Sequence, residues 1–378
     1  MVSDELHMRR ALELARAGVG LVSPNPAVGA VVVDAAGNEI GTGMHTYDGV
    51  KHAEVLALEQ ASERARGATL YLNLEPCSHQ GRTGPCADAV IAAGIQRVVC
   101  SMEDPNPQVA GRGFAKLRAA GIQVDVGLGE ADAKKLNESF AKYIRTGLPL
   151  ATLKSAMTLD GKIAPPAHIT TAEQKGAQRS QWITGGAARA HVQQLRHQHD
   201  AVLVGVGTVM ADDPLLTDRS GLLRRRKLLR VILDSYLRTP LASRLVQTAD
   251  HDVLVFYSTA EEHARQVLEA KGIRVEQIAR ADADGRPNFA AVVERLGKLE
   301  ITSLVIEGGA QVNGTALASD AVDKVFLYFA PRILGEGAVP FTGSEGIGGK
   351  AKNLKQVKLH YFGEDFAVEG YLKDPYKD

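Results

Sequence analysis

Glu75-Pro76-Cys77-Ser78-His79-Gln80-Gly81-Arg82-Thr83-Gly84-Pro85-Cys86, taken with His52-Ala53-Glu54 upstream, is the stretch on which the reading of this chain turns. One imidazole (His52) and two thiolates (Cys77, Cys86) are a donor set for tetrahedral Zn2+. Three protein ligands leave the fourth position to water, as a catalytic rather than a structural site requires. Bound zinc lowers the pKa of such a water to about 7. Glu54 follows His52 closely at the start of an expected helix, where it can shuttle a proton without ligating the metal. Each cysteine follows a proline, and Cys86 falls in the first turn of another expected helix, whose N-terminus favours a thiolate. A lone His-x-Glu is more often helix surface, and two cysteines alone are more often small buried hydrophobes. In this order, with proline before each cysteine, they read as a zinc centre with Glu54 as its acid/base.

Outward from that stretch the chain alternates extended and helical signals. Gly29–Val33 is a β-branched strand, and a helix runs from His52 to just before Gly67. Ala68–Leu74 reads as a strand, Pro85–Ala93 as a helix stopped by Gly94, and Arg97–Ser101 as a further strand. At the N-terminus, Ser3-Asp4-Glu5 has the form of a helix cap with acids in the first turn. The pattern pauses over Ala141–Pro149 and a new extended run begins at Leu150, which predicts two domains, 1–146 and 147–378. In the second, strands are expected at Val202–Val204, Arg230–Asp234, Asp252–Tyr257, Ser303–Ile306 and Val325–Ala330. Helices are expected over 187–199, 260–271, 288–298 and 310–319. This is the signature of an α/β chain whose second sheet is mostly parallel with a final antiparallel strand.

Composition narrows the partners. Across 378 residues, 44 Lys and Arg balance 44 Asp and Glu, so the basic excess of a nucleic-acid binder is missing. No apolar run reaches the length of a membrane span, and MVSDELHMRR lacks the apolar stretch of a signal peptide. Three cysteines are too few for a disulfide framework. A cytoplasmic protein acting on a small molecule is expected. Cys100 reads as core, and His197 and His199 as a polar helix end with no carboxylate partner in evidence. Arg224-Arg225-Arg226-Lys227, the one dense basic run, reads as solvated loop.

His-x-Glu with Pro-Cys…Cys is the mark of the cytidine-deaminase-like zinc deaminases, in which hydroxide attacks an amino-bearing ring carbon and ammonia leaves. Eight residues separate Cys77 from Cys86, where two are common. With Ser23-Pro24-Asn25-Pro26-Ala27-Val28-Gly29 and Gly43-Met44-His45, that spacing resembles the deaminase half of the bifunctional riboflavin-biosynthesis deaminase/reductase family. Gly84 stands where that family usually has a second proline. The resemblance implies deamination of a diaminopyrimidinone ribosylamino phosphate, followed by NADPH-dependent reduction of the ribosyl chain to ribityl. It also implies substrate contacts from Asn25, which would bind the pyrimidine, and from His45, His79 and Arg82, the last well suited to a phosphate.

The second half carries two glycine-bearing turns after strands, Gly205-Val206-Gly207 and Glu307-Gly308-Gly309. Met210 stands where a GxGxxG motif would place its third glycine, so a standard Rossmann site is not supported, and spacing alone leaves the dinucleotide open. The resemblance extends over this half as well and implies a dihydrofolate-reductase-like fold. By its pattern Ala156, Trp182, Thr208, Asp212, Ser235 and the turn Gly309, Ala310, Gln311, Val312, Asn313, Gly314 and Thr315 would bind NADPH. Ser180, Arg196, Leu216, Arg219 and Glu307 would bind substrate, the arginines offering forked donors to its phosphate. Lys154 and Asp212 are the polar groups expected beside the carbon that receives hydride. Trp182 can equally be core filling, the basic run at Arg224 is a candidate partner for the cofactor 2′-phosphate, and the polar segment after Ile163 is either a flap or an inert insertion. The superfamily commonly pairs, which makes a homo-oligomer, dimer or tetramer, the expectation. Two other readings stay open: a deaminase of nucleic-acid bases, and a regulatory protein with a degenerate second domain.

Overall fold

The computed structural model describes residues 2–78, 84–166, 182–281, 285–343, 347, 349 and 351–377. It divides into two compact units, Met1–Gly147 with Leu223–Arg226, and Leu148–Leu222 with Lys227–Asp378.

The first unit contains α1 (Val2–Ala17), β1 (Gly29–Val33), β2 (Glu39–Met44), α2 (Ala53–Ala61), β3 (Thr69–Leu72), α3 (Cys86–Ala92), β4 (Arg97–Cys100), α4 (Arg112–Ala119), β5 (Gln123–Val126), α5 (Glu130–Leu136) and α6 (Glu138–Thr146). Its sheet has the order β2-β1-β3-β4-β5. β1 runs antiparallel to both β2 and β3, while β3, β4 and β5 are parallel. The β-branched run of β1 is buried along its whole length, as its sequence predicts. β2 carries no such signal because Gly41 and Gly43 interrupt it. A Cβ at Gly41 would lie 2.1 Å from the Ala57 carbonyl oxygen, and one at Gly43 2.0 Å from that of Ala53. Only glycine lets the backbone of α2 lie this close on the strand, and that seat fixes His52 and Glu54 at the start of α2. The helix expected to reach Gly67 breaks at Ser62, where φ is +53°, and ends in a 3-10 turn over Ser62–Ala65. Ser3 lies inside α1 rather than capping it.

The second unit contains β6 (Leu150–Thr158), β7 (Lys162–Ala164), α7 (Gly186–His197), β8 (Ala201–Gly205), α8 (Val206–Asp212), β9 (Leu229–Leu233), α9 (Arg244–Gln247), β10 (Val253–Tyr257), α10 (Glu262–Glu269), β11 (Arg274–Gln277), α11 (Phe289–Gly297), β12 (Ser303–Ile306), α12 (Ala310–Ala318), β13 (Lys324–Ala330), β14 (Val339–Pro340), β15 (Lys355–Phe362) and β16 (Asp365–Tyr371). Nine strands form one sheet in the order β11-β10-β9-β8-β12-β6-β13-β16-β15. It is parallel from β11 through β13, and both β16 and β15 run antiparallel to their neighbours. Two apolar clusters cover its faces. Val202, Val204, Ile232 and Val255 belong to one, Ala201, Leu203, Val231 and Leu254 to the other. Alternate residues of one strand thus enter opposite cores, which is why these strands read as unbroken apolar runs. The carboxyl ends of β8, β12 and β6 lie side by side, the part of such a sheet where ligands bind. Among the described residues no helix is long and apolar enough to cross a membrane.

Candidate functional sites

In the first unit three chain segments converge. His52 immediately precedes α2, Cys77 ends the extended run that follows β3, and Cys86 is the first residue of α3. Their ligand atoms all lie within 4.8 Å of one another, with His52 Nδ1 3.0 Å from Cys86 Sγ and 3.6 Å from Cys77 Sγ. The Cys86 backbone N–H donates to Cys77 Sγ at 3.3 Å. A hydrogen bond from the Cys86 thiol, with help from His52, holds Cys77 down to about 4, while Cys86 is pushed up. Without a cation the Cys86 thiol donates to Cys77, and a dication held by both sulfurs would take that proton's place. Glu54 is 3 % exposed and its Oε2 has no hydrogen-bond partner. Burial pushes its carboxyl up to about 7, against the pull of His52. Two thiolates, an imidazole and a buried orphan carboxylate oxygen beside them fit Zn2+ with an acid/base partner.

The substrate side of this site is fastened from below. Asn25 donates from Nδ2 to His45 Nε2 at 3.0 Å, and His45 Nδ1 lies 3.1 Å from the Lys51 carbonyl oxygen. Since the carbonyl can only accept, the proton is assigned to Nδ1, and Nε2 accepts from Asn25. The His45 ring sits edge-on to His52, with centroids 5.3 Å apart, so Asn25 and His45 belong beside the metal group. Sequence reasoning missed the residues that hold this loop. Buried Asn73 accepts from Gly29 N at 2.9 Å and donates to the Ala27 carbonyl at 2.9 Å. Buried Asn137 accepts from Ala27 N at 2.8 Å. Glu75, 3 % exposed, accepts from the backbone N–H groups of Asp104, Gly111, Gly113 and Phe114 and so fixes the entry to Cys77. Polar Asn73 and Glu75 alternating with Leu72 and Leu74 were the available signal.

Residues 223–226 also belong to this unit. The Arg225 N–H donates to the Gly20 carbonyl at 2.8 Å, its guanidinium bonds the Ser23 carbonyl at 3.0 Å and Asp48 at 3.1 Å, and it lies 3.6 Å from the centre of the Tyr47 ring. Arg226 Nη2 donates to Ser23 Oγ at 3.0 Å. Within the basic run, Arg225 and Arg226 are thus bonded to this unit rather than free in solvent, while Lys227 is exposed. His79, Arg82 and Ser180, with most of the segment after Ile163, lie outside the described residues.

In the second unit Glu307, just past β12, is the hub. Its Oε2 lies 3.2 Å from Lys154 Nζ on the neighbouring β6. Arg196 on α7 forks onto it, Nε to Oε1 at 2.6 Å and Nη2 to Oε2 at 3.0 Å. Burial pushes the Glu307 carboxyl up, but Arg196 and Lys154 outweigh it and hold the group well below the usual carboxylate range. Asp212, at the end of α8, is pushed up by desolvation of its carboxyl although the residue as a whole is exposed. Leu216 is buried with φ at +55°, and the Arg219 backbone N–H donates to Gln193.

The two glycine turns meet. A Cβ at Gly205 would lie 2.8 Å from Val312 and one at Gly308 2.6 Å from it, whereas Gly207 faces open space and Gly309 lies near Thr208. Asn313 donates to the Phe341 carbonyl and buries an Oδ1 without a partner. Val312 fills the space against Gly205 and Gly308, while the open backbone at Gly207, beside Gly309 at the carboxyl ends of parallel strands, fits a dinucleotide phosphate. Ala156 lies half-buried on β6, and the Ser235 carbonyl after β9 accepts from Ser258 and Thr259. Trp182 is 53 % exposed beneath Arg189, so it is not core filling. His197 is corrected too: it is buried with Nδ1 3.0 Å from Asp218, the carboxylate partner that the sequence did not reveal. His199 is likewise buried, against the Leu195 carbonyl and Thr152. Cys100 is fully buried core.

Comparison with known proteins finds matches for both halves of the chain. Residues 1–102 match the cytidine and deoxycytidylate deaminase zinc-binding region, and residues 149–368 match the RibD C-terminal domain. The riboflavin biosynthesis protein RibD of Actinobacillus pleuropneumoniae is 39 % identical, with 99 % of this chain and 96 % of that protein covered. That of Escherichia coli K12 is 41 % identical, with 97 % and 99 % covered. The solved structure of Acinetobacter baumannii RibD aligns over 98 % of both chains with a TM-score of 0.81 at 35 % identity. A Thermotoga maritima deaminase/reductase aligns over 98 % of both chains with a TM-score of 0.78 at 36 % identity. With a cytidine-deaminase-like zinc domain followed by a RibD reductase domain, which bring zinc and NADPH as cofactors, the chain belongs to the RibD family of bifunctional riboflavin-biosynthesis deaminase/reductases.

Proposed function

We propose that the chain deaminates 2,5-diamino-6-(5-phosphoribosylamino)pyrimidin-4(3H)-one and then reduces the ribosyl chain of the resulting 5-amino-6-(5-phosphoribosylamino)uracil. The observation that carries the first step is Glu54, buried without a partner for Oε2 beside the His52, Cys77 and Cys86 donors. His52, Cys77 and Cys86 would hold Zn2+, which would supply a water that can lose a proton near neutrality. Glu54 is placed to take up a proton and deliver it to the departing amine, while Asn25, steadied by His45, orients the pyrimidine edge. Asn73 and Asn137 keep the Asn25 loop in place during turnover.

For the second step bound NADPH would supply the hydride, and the first carbon of the ring-opened sugar, an imine, would become an amine on gaining it and one proton. The Gly205–Thr208 turn and the segment from Gly309 to Thr315 would cradle the cofactor. Lys154, held by Glu307, stands as the proton source, and Glu307 and Arg196 set its direction. Asp212 keeps its proposed place near the reacting carbon on resemblance. Exposed Val357, Leu359 and Tyr361 on edge strand β15 support a homo-oligomer, and free cysteines support a cytoplasmic setting.

The test follows substrate mass in zinc-loaded protein with and without NADPH. Exchange of amine for oxygen adds about one mass unit, and reduction adds about two more. A first shift without the second would remove the reductase assignment, and no shift would remove the substrate.

A further inference from the structure

Asn25 and His45, the pair assigned above to the pyrimidine edge, come from two separate segments, and a third segment fastens both. Ser23 lies two residues before Asn25, and Tyr47 two residues after His45. Arg225 holds both flanks at once: Nη1 donates to the Ser23 carbonyl at 3.0 Å, and the guanidinium lies 3.6 Å from the centre of the Tyr47 ring. Its backbone N–H donates to the Gly20 carbonyl at 2.8 Å, next to Leu21, whose carbonyl accepts from the Tyr47 N–H at 3.1 Å. Arg226 adds a bond to Ser23 Oγ at 3.0 Å. On the other side of Asn25, Asn73 and Asn137 hold Ala27, and Pro24 and Pro26 stiffen the links between these anchors. A shift of Ser23 is therefore passed on to Asn25. The contacts of Arg225 differ in weight. Asp48 is 77 % exposed, so its ion pair contributes little. The charged donor on a carbonyl and the cation over a ring are stronger, and a planar fork is needed to make both together. Residues 223–226 belong to the first unit, yet they lie inside the stretch 149–368 that matches the RibD C-terminal domain.

We propose that Arg225, assisted by Arg226, is a positioning residue of the deaminase: it sets the Asn25–His45 pair, and through that pair the pyrimidine ring, although the reductase part of the sequence carries it. The inference rests on the reading that Asn25 orients the pyrimidine edge. His52 and Glu54 are seated by α2 and Cys86 by α3, so loss of Arg225 loosens the seat of the substrate and leaves the chemical groups in place. Binding of the ring is made in the ground state and the transition state alike, and its loss shows in KM rather than in kcat.

The experiment uses the full-length, zinc-loaded chain and the diamino substrate. Arg225→Ala should raise deaminase KM roughly 10- to 100-fold, with kcat changed by no more than about threefold. Zinc content should stay as in the wild type, and the same preparation should reduce the deaminated uracil at the wild-type rate. Arg225→Lys should recover little, since a point charge cannot stack on Tyr47 and bond Ser23 together. In an Asn25→Ala background, Arg225→Ala should cost less than about twofold more, because the arginine acts through the residue already removed. Unchanged KM, full recovery by lysine, loss of zinc or of reduction, or a full further loss in the Asn25→Ala background would each overturn the assignment. Where Arg225→Ala does not fold, Tyr47→Leu removes the ring and keeps the arginine: a raised KM supports the proposal and an unchanged one overturns it. If the wild-type chain leaves the diamino compound untouched, the proposed function fails by itself. Hydrogen exchange over residues 18–28 and 44–50 then decides the clamp, with faster exchange in Arg225→Ala supporting it and unchanged exchange overturning it.

Discussion

Each unit buries a glutamate at its candidate site, and the two are treated in opposite ways. Glu54 is enclosed with no cation bound to its carboxylate and with one oxygen unbonded, and burial lifts it to about 7. Glu307, its side chain 9 % exposed, is gripped by Arg196 and Lys154, and stays an anion. Desolvation favours the neutral acid, and an adjacent cation favours the charged base. A glutamate left alone in the dry can carry a proton at neutral pH. One clamped between cations can only hold other groups in place. The difference separates a proton carrier from an anchor.

The largest effect expected from this contrast is kinetic. Glu54→Gln keeps shape and zinc but removes the proton carrier, and deaminase kcat should fall by about 10²- to 10⁴-fold with metal content unchanged. Retained deamination would make Glu54 an anchor too. Next, Glu307→Gln leaves Lys154 and Arg196 facing each other without a counter-charge. That should destabilise the second unit by about 3–5 kcal/mol in a denaturant titration followed by a probe on that unit. A change below about 1 kcal/mol would show that the cations find other partners.

Smaller effects sharpen the same comparison. Asn73→Ala strips the loop of its buried clamp, leaving the Gly29 N–H and Ala27 carbonyl short of partners, and should cost the first unit about 1–3 kcal/mol and raise deaminase KM. Smallest is Asp4, which Arg97 and then Tyr71 hold down to about 2 from an ordinary 3.8. Its folded value is depressed, so its contribution is present above about 3.8 and is lost as pH falls through about 2. Because the pair is partly exposed, Asp4→Asn should remove no more than about 1 kcal/mol and flatten acid unfolding in that window. A steeper acid transition in the variant would reverse the sign.

What could be seen in the sequence follows from how each feature is made. The zinc donors were legible because two lie in one short run marked by prolines and the third in a His-x-Glu pair. Strands such as β8 and β10 were legible because burial on both faces leaves them unbroken and apolar. β2 was not, since close packing of α2 demands glycine where a strand signal would stand. His197 was misread because its carboxylate partner is brought in by the fold across 21 residues. The engagement of Arg225 and Arg226 was hidden for the same reason: Ser23, Tyr47 and Asp48, which hold them, lie far away in the chain. Of the reductase residues, Glu307, Arg196 and Lys154 come together in the fold.

The most direct test of the central claim, two separate chemistries with a free and a clamped glutamate, is a crossed assay on Glu54→Gln. The zinc-loaded variant is given first the diamino substrate and then the deaminated uracil with NADPH, and both products are weighed by mass spectrometry. The account predicts that the diamino compound persists, while the uracil is reduced at the wild-type rate. Loss of both reactions, or survival of both, would contradict it.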